Sequence, residues 1–281
     1  MKRIAIQGGK GSFHDITARR YYSGEEIEVL YCATFEDIFK SIKRDDSVIG
    51  LMAIENTIAG SLLQNHELLR ESDLQVIGEA RLRISHSIMC LPEDDWSDIV
   101  EVNSHPIALM QCREFLNAHP NFKVVEAEDT AKSAEDIFRQ NLRGRAAICG
   151  KDVAAMYGMK ILQEGIETNK HNYTRFLVMA DRWHAEEYRK RGDVSNKASL
   201  VFSLPHTEGS LSHILSILSF YKMNLTKIQS LPIIGREWEY QFYIDVVFDD
   251  MLRYRQAIDA IRPLIKELKI LGEYAESKDN L

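Results

Sequence analysis

The first part of the chain alternates between short apolar runs and stretches in which apolar residues recur every three or four positions. Residues 3–7 form an apolar run that ends at a glycine turn. Thr34 can cap the helical pattern that follows it and extends to Ile42. Residues 48–54 are apolar nearly throughout, which is typical of a strand buried on both faces of a parallel sheet. This alternation predicts an α/β fold.

The same alternation continues to about residue 180. Further strands are predicted near residues 74–79, 84–90, 99–103, 122–126 and 145–149, and helices near residues 14–22, 106–118, 130–141 and 150–158. From Asp181 to Asn196 the chain is highly charged and lacks a sustained apolar face, which indicates a linker. We therefore predict a first domain over residues 1–183, a linker over 184–196 and a second domain over 197–281.

The second domain has a different order of elements. Strands are predicted at residues 197–204, 225–230, 240–248 and 270–274, and helices at residues 210–222 and 251–268. The order βαββαβ predicts a ferredoxin-like unit, in which two helices cover one face of an antiparallel sheet. The other face or the edge of such a sheet favours self-association.

The composition excludes several functional classes. The chain has 281 residues, of which 45% are hydrophobic and 27% charged, and its formal net charge is -7. Because lysine and arginine are spread along the chain, we expect no nucleic-acid partner. The apolar start breaks at Gly8 before a signal peptide could form, and no apolar run approaches the roughly 18 residues of a membrane span. We expect no membrane contact and a cytoplasmic location.

Cysteine and histidine give no sign of a metal centre. The cysteines are Cys32, Cys90, Cys112 and Cys149. Their wide spacing fits neither a disulfide staple nor a zinc motif, so we interpret them as buried reduced thiols. The 9 histidines show no metal-ligand spacing. We expect no metal and no other cofactor.

A glycine-rich turn follows the first strand and consists of Gly8, Gly9, Lys10, Gly11 and Ser12. Such a turn can hold phosphate through backbone N–H groups. Its spacing matches neither a P-loop nor the dinucleotide fingerprint. Two interpretations stay open: a turn that shapes a cleft for another anion, or a purely structural turn.

Three junctions between a predicted strand and the next element carry polar side chains. They are Glu55 to Ser61, Ser104 to Pro106 with Gln111 one to two turns further, and Asp129 to Ala131. Open α/β sheets bind ligands at the carboxyl ends of their strands, and helix capping is the alternative explanation. A fourth polar segment, Asn172 to Phe176, opens an apolar strand, and its Arg175 is suited to bidentate binding of a carboxylate.

In order and spacing these segments resemble the motifs of the prephenate dehydratase family. The segments that carry the resemblance are the glycine turn with Ser12 and Phe13, Glu55 to Gly60 with Leu68 and Leu69, Ser104 to Pro106 with Gln111, Thr130 with Ala131, Ala146 to Ile148, and Asn172 to Phe176. A motif set of this kind is specific. The resemblance implies two α/β lobes similar to those of periplasmic binding proteins, with the active site in the cleft between them.

The resemblance also implies a reaction, the conversion of prephenate to phenylpyruvate with loss of carbon dioxide and hydroxide in L-phenylalanine biosynthesis. It assigns protonation of the leaving hydroxide to Thr174, while Arg175 would anchor a substrate carboxylate. A threonine hydroxyl is a weak acid, so it needs donors around it. The candidates for that shell are Asn56, Ser104, Gln111 and Thr130, and Glu55 would orient its neighbours.

Two alternatives stay open on the sequence. Arogenate dehydratases carry out the same elimination on the amino-acid form of the substrate. A two-lobed cleft also suits a non-catalytic protein that binds a small acid.

The second domain resembles the ACT regulatory domain attached to these enzymes. The resemblance implies that phenylalanine binds at an ACT–ACT interface and inhibits the enzyme allosterically. The implied effector-binding residues are Gly209, Ser210, Leu211, Asn224, Gln229, Ser230, Leu231 and Pro232. Gln229 and Leu231 depart from the Glu-Ser-Arg-Pro common in the family. We expect a homo-oligomer formed through this domain, a dimer or a tetramer.

Overall fold

The computed structural model describes residues 1–188, 194–233, 235–236 and 239–277. The strands in this part of the chain are β1 (Lys2–Gln7), β2 (Ile27–Cys32), β3 (Val48–Asn56), β4 (Gly60–Ser61), β5 (Gln75–Arg83), β6 (Ser87–Cys90), β7 (Glu101–Ser104), β8 (Lys123–Glu126), β9 (Arg145–Cys149), β10 (Lys160–Gln163), β11 (Tyr173–Ala180), β12 (Lys197–Ser203), β13 (Asn224–Pro232), β14 (Tyr240–Val247) and β15 (Lys266–Tyr274). The helices are α1 (Phe13–Tyr21), α2 (Phe35–Arg44), α3 (Leu63–Glu71), α4 (Pro106–Gln111), α5 (Arg113–Asn117), α6 (Thr130–Arg139), α7 (Asp152–Tyr157), α8 (Ala185–Tyr188), α9 (Ser210–Phe220) and α10 (Met251–Ile261).

The first lobe is built on a mixed sheet with strand order β2-β1-β3-β11-β5, to which the short β4 adds beside β3. β11 lies antiparallel between β3 and β5, because the chain leaves the lobe after β5 and returns to it at β11. The face that packs around Ile6 and Val178 contacts α1 and is called the α1 face. The opposite face, which packs around Ile54 and Met179, meets the second domain and is called the C-terminal face.

The second lobe carries a sheet with strand order β10-β6-β9-β7-β8. β9, β7 and β8 run parallel to one another, and β6 runs antiparallel to both of its neighbours, β9 and β10. One core surrounds Val102 and Ile148, and the other surrounds Ala134 and Val153. Two α/β lobes joined by two chain crossings are the periplasmic-binding-protein-like arrangement expected from the sequence, and this prediction is confirmed.

The second domain has the predicted βαββαβ order, and its four strands form a sheet in the order β13-β14-β12-β15. α9 and α10 pack on one face around Phe202, Ile214 and Ile258. The other face carries Val201 and Tyr243 and packs on the C-terminal face of the first lobe. The ferredoxin-like prediction is confirmed, and the packing leaves the sheet firmly attached to the strands that hold the candidate site.

Several elements differ from the predicted ones. β2 is an edge strand with mostly half-exposed side chains, and α3 begins without a side-chain cap, so neither gave a clear signal in the sequence. α10 ends at Ile261, and β15 starts at Lys266 rather than at residue 270, because its polar first residues resemble an exposed helical turn. The predicted linker contains α8, whose Ala185 is buried, while residues 189–193 lie outside the described part of the chain.

Two predictions from composition bear on the interior and the surface. The four cysteines are buried and unpaired, as expected of small apolar side chains. Among the residues that the structure describes, no helix combines the length and the apolarity needed to cross a membrane.

Gly272 of β15 marks a very close approach of the second domain to the first lobe. A Cβ atom added at Gly272 would lie 2.2 Å from the carbonyl oxygen of Val76 in β5, and a backbone atom cannot swing aside. We therefore expect Gly272→Ala to lower the free energy of unfolding by about 1–3 kcal/mol, as measured by urea unfolding. Gly9→Ala is the control, because a Cβ there meets nothing within 4 Å. An equal loss in both variants would contradict the steric explanation.

Candidate active site

The hydroxyl of Thr174 lies at the start of β11 and is held by an amide from the neighbouring strand. Asn56, the last residue of β3, donates from Nδ2 to Thr174 Oγ1 at 2.9 Å and to Asn172 Oδ1 at 2.7 Å. Thr174 is 9% exposed and Asn172 is fully buried. Because the amide occupies a lone pair on Thr174 Oγ1, the hydroxyl proton is free to point at another acceptor.

The turn after Asn56 fixes this amide. Asn56 Oδ1 accepts from the backbone N–H groups of Ile58 and Ala59, both at 2.9 Å, as asparagine commonly does in turns. Thr57 Oγ1 donates to the carbonyl of His171 at 3.0 Å and accepts from the N–H of Tyr173 at 2.9 Å. The end of β3 and the start of β11 are therefore locked together around the Thr174 hydroxyl.

A second set of polar contacts lies where the chain crosses from one lobe to the other. The N–H of Ile84 donates to the carbonyl of Asn172 at 2.8 Å. Two residues later, His86 Nε2 is 2.8 Å from Gln111 Oε1 in α4. The ring of His86 also meets Phe13 edge-on at 5.5 Å. Gln111 of the second lobe is thereby tied to the crossing that leads to Thr174.

Two buried nitrogens at this crossing have no partner among the described residues: Asn172 Nδ2 and His86 Nδ1. Burial lowers the pKa of His86, so its imidazole is neutral. With Nε2–H donating to Gln111, Nδ1 presents a lone pair. Neither side chain was predicted from the sequence as a site residue. Asn172 opens the motif that carries Thr174, whereas nothing in the local pattern distinguished His86.

The glycine turn of the first lobe lies close to residues of the second lobe. Gly8 and Gly11 adopt φ values of 98° and 84°, which glycine tolerates best. A Cβ at Gly11 would lie 3.1 Å from Val153 of the second lobe, and one at Gly8 would lie 3.9 Å from Asp129. The turn thus reaches the start of α6 and closes one end of the cleft. The structural alternative for this turn is supported, and an anion role stays a prediction.

Ser104 and Thr130 occupy the predicted strand ends of the second lobe. Ser104 is fully buried and donates to the carbonyl of Ile148 at 2.5 Å. Thr130 is the first residue of α6, and the cap is Asp129, which accepts from the N–H of Lys132 at 2.9 Å. Neither hydroxyl is bonded to the Thr174 group, so the structure does not bring the predicted shell into one hydrogen-bonded cluster.

Arg175 points away from Thr174, because neighbouring side chains of a strand lie on opposite faces. Thr174 pairs with Leu82, which lies on the α1 face. Arg175 lies on the C-terminal face, where Nε donates to Glu79 at 2.6 Å, Nη1 to Asp245 at 2.5 Å and Nη2 to the hydroxyl of Tyr274 at 2.9 Å.

The guanidinium of Arg175 is therefore committed to buried partners. Arg175 is 6% exposed, and Glu79 and Asp245 are 3% and 5% exposed. The structure corrects the interpretation of Arg175 as the anchor of a substrate carboxylate. Glu55 lies on the same face, with its carboxylate 3.9 Å from Arg175 Nη1, so it faces the second domain as well.

A cavity of about 390 Å³ opens between the lobes. Its lining includes Phe13 and Leu82, the cross-strand partner of Thr174. Arg83 and Lys151 contribute positive charge from the two lobes. The cavity offers space and cations next to Leu82, but Thr174 does not line it. Thr174 and Asn56 line a second cavity of about 470 Å³, together with Arg81 and Arg175.

The residues implied as an effector site lie on two elements of the second domain. Gly209 caps α9 with φ 78°, and Ser210 and Leu211 begin the helix. The others lie along the strand β13, at Asn224, Gln229, Ser230, Leu231 and Pro232. Leu231 packs against the core between the domains, and Gln229 Nε2 donates to the carbonyl of Ser230 at 2.9 Å. Both departures from the family pattern are thus accommodated without a charged partner.

His66 of α3 lies at the contact between the domains, where it is 4% exposed and meets Tyr243 edge-on. Burial, assisted by the charge of Lys227, lowers the pKa of His66 from 6.5 to about 4. The unfolded state therefore binds more protons between these values, and stability falls as the pH decreases through this range. We expect His66→Gln to reduce that fall by up to about 1.4 kcal/mol per pH unit.

Urea unfolding across this pH range measures the effect. His171→Gln provides the control, since His171 is exposed. An unchanged pH slope in His66→Gln, or an equal change in both variants, would show that His66 does not titrate as described.

Comparison with known proteins gives one family. A family model described as prephenate dehydratase matches residues 4–183. The bifunctional chorismate mutase/prephenate dehydratase of Enterobacter agglomerans is 32% identical over 279 residues, covering 97% of this chain and 70% of that protein. Arogenate dehydratase 1 of Petunia hybrida is 32% identical over 290 residues, covering 97% of this chain and 66% of that protein.

Solved structures share the fold over nearly the whole chain. The prephenate dehydratase of Arthrobacter aurescens in complex with L-Phe has a TM-score of 0.84 and 25% identity, covering 97% of this chain and 89% of that one. A protein described as GqqA, a novel type of quorum quenching acylase, has a TM-score of 0.85 and 26% identity, covering 99% of each chain. The family model spans well over half of this chain, and the chain belongs to the prephenate dehydratase family.

Proposed function

We propose that the protein converts prephenate to phenylpyruvate, carbon dioxide and water. The ring carboxylate leaves as carbon dioxide, and the electron pair of the broken carbon–carbon bond moves into the ring. The ring hydroxyl leaves with its own bonding pair, and the ring becomes aromatic. Thr174 donates its proton to the departing hydroxide and is reprotonated from solvent. Family membership supports this reaction, together with the position of Thr174.

The observation that carries the proposal is the 2.9 Å contact from Asn56 Nδ2 to Thr174 Oγ1. A donor aimed at this oxygen stabilises the alkoxide that forms as the proton leaves. The amide cannot turn away, because its oxygen is held by the N–H groups of Ile58 and Ala59. Asn56 thus makes a weak acid more able to donate.

The two carboxylates of the substrate need cations other than Arg175. Arg83 and Lys151 line the cavity between the lobes beside Leu82. The exposed ion pair of Lys151 with Glu164, at 3.6 Å, costs little to break. Arg83 lies 3.5 Å from the buried Glu167 and donates to the carbonyl of Lys170 at 3.2 Å. We propose that they bind the substrate. Ser104, Gln111 and Thr130 keep the supporting roles proposed from the family motifs.

Turnover of prephenate, followed by the ultraviolet absorbance of phenylpyruvate, tests the proposal. Turnover of arogenate, followed by the formation of phenylalanine because the amino group is retained, separates this function from that of the plant relative, an arogenate dehydratase. Preference for prephenate is expected. If both compounds bind without turnover, the chain is a binding protein and the proposal fails.

The similarity to GqqA suggests amide hydrolysis as a competing activity. That chemistry needs a nucleophile activated by a base. The Ser104 hydroxyl donates to a backbone carbonyl, and the Thr174 hydroxyl accepts from an amide. Among the described residues neither hydroxyl donates to a basic side chain that could take its proton, so elimination is the function that the site supports.

We also propose that the second domain is an ACT domain that binds L-phenylalanine, inhibits the enzyme and joins chains into a dimer or tetramer. Its βαββαβ topology supports this, as does the L-Phe complex of the Arthrobacter aurescens relative. Gly209 has no side chain to cap α9, so the N–H groups of Leu211 and Ser212 are available for a carboxylate, while that of Ser210 donates to the carbonyl of Thr207. The domain limits 1–183, 184–196 and 197–281 and a cytoplasmic location stay proposals.

Loss of activity on addition of millimolar phenylalanine, with sedimentation of the full chain in the same buffer, tests this regulation. An unchanged rate would show that the chain with Gln229 and Leu231 is not inhibited. A monomer at all concentrations would refute the oligomer.

A further inference from the structure

The side chain of Lys227, in strand β13 of the second domain, reaches across to the first lobe. It is only 8% exposed. Its ammonium donates to the carboxylate of Glu55 and, at 3.1 Å, to the hydroxyl of Ser61. Glu55 and Ser61 are paired in the hairpin formed by β3 and β4. Lys227 therefore holds both arms of this hairpin from the opposite domain.

The same hairpin carries Asn56, the residue after Glu55. The turn of the hairpin contains Ile58 and Ala59, whose N–H groups hold the Asn56 oxygen. The Asn56 nitrogen donates to Thr174. Glu55 and Asn56 pair with Arg175 and Thr174, respectively, in β11. A displacement of the hairpin on the C-terminal face must therefore move the amide on the α1 face.

The other nearby cation cannot take over from Lys227. Arg175 Nη1 is 3.9 Å from Glu55 and already donates to Asp245 at 2.5 Å. Without Lys227, the Glu55 carboxylate would lose its direct partner and turn toward solvent, where its side chain is 34% exposed. The hairpin would then lose the contact that joins its two arms to the second domain.

We infer that Lys227 is a positioning residue for the reaction: its ammonium fixes the β3–β4 hairpin so that Asn56 donates to Thr174. This inference rests on the proposed function. β13 also carries Asn224 and Gln229, so a ligand that displaces this strand would change the Thr174 contact through Lys227.

Lys227→Met in the full chain tests the inference. We expect kcat for prephenate to fall by about 10- to 100-fold, the effect of a misplaced catalytic group, while KM changes less than about threefold. Lys227→Arg should restore most of kcat, since it keeps a cation within reach of Glu55. Lys269→Met is the matched control, because Lys269 crosses the same interface to the carbonyls of Arg70 and Ser72, away from the hairpin. It should lower thermal stability and preserve kcat.

The side-chain amide signals of Asn56, in protein labelled with nitrogen-15 asparagine, report the contact without turnover. They should shift in Lys227→Met and stay unchanged in Lys269→Met. If the unmodified chain does not convert prephenate but the signals shift, the proposed function fails and the positioning link stands. Unshifted signals would overturn the inference, and so would equal kcat values in Lys227→Met and Lys269→Met when the unmodified chain converts prephenate.

Discussion

Replacing Thr174 by alanine is expected to lower kcat for prephenate by at least about 100-fold, the usual contribution of a general acid. The variant loses the hydroxyl that receives the Asn56 amide at 2.9 Å, and the leaving hydroxide then has to take its proton from water. KM should change little, because the proposed cations at the cavity are untouched. The measurement is the initial rate of phenylpyruvate formation over a range of prephenate concentrations.

The control for this prediction is Thr174→Ser, which keeps the hydroxyl and loses only a methyl group. It should retain most of kcat, and both variants should unfold at nearly the temperature of the unmodified chain. A rate for Thr174→Ala within a few-fold of the unmodified rate would remove Thr174 from the mechanism. A large loss in both variants would instead indicate that packing around the methyl group dominates.

The fold followed closely from sequence periodicity where elements are buried. Residues 48–54 of β3 are apolar because both faces of the strand are covered there, and such a run is a clear signal of a buried strand. β2 and β15 were missed or shortened because their half-exposed side chains mix polar and apolar residues. Tertiary contacts form these strands, such as the pairing of β1 with β2, and a local pattern does not contain that information.

The candidate site was predictable in part. The motif containing Thr174 predicts a site at the start of one strand, and the strand period of two places the side chains of Thr174 and Arg175 on opposite faces of that strand. The local sequence does not show which residues cover the C-terminal face, on which Arg175 lies. Asp245 and Tyr274 reach Arg175 from strands 70 and 99 residues away. Without these distant partners, the sequence favours a carboxylate-binding role for Arg175.

Replacing Arg175 by methionine is expected to destabilise the protein by about 3–5 kcal/mol, because removal of one partner leaves buried charge uncompensated. Asp245 would lose the guanidinium at 2.5 Å, and Glu79 would keep the ammonium of Lys197 and the N–H of Ser277, both at 3.0 Å. Urea unfolding followed by circular dichroism at two pH values measures the loss. The loss of unfolding free energy should be larger at pH 8 than at pH 5, because the buried Asp245 carboxylate is charged at the higher pH.

Burial raises the pKa of Asp245, but the charge of Arg175 and the Ser199 hydroxyl outweigh it and hold the pKa below its ordinary value. In the native chain this carboxylate stabilises the fold above the unfolded pKa of about 3.9, and the stabilisation is lost as the pH falls through the folded pKa. In Arg175→Met burial dominates, so the folded pKa rises above the unfolded one. Between the unfolded and the folded pKa, the variant therefore loses stability as the pH rises. The difference in unfolding free energy between the variant and the unmodified chain grows accordingly.

Two further variants separate buried charge from lost packing. Arg175→Met combined with Asp245→Asn should recover part of the stability, since the amide removes the uncompensated charge. Arg81→Met is the matched control, because Arg81 pairs with Arg175 across the sheet but has a 38% exposed side chain and an ion pair of 3.8 Å. It should cost less than about 1 kcal/mol. Equal losses for Arg81→Met and Arg175→Met, with no dependence on pH, would show that the buried network is not what attaches the second domain to the catalytic strand.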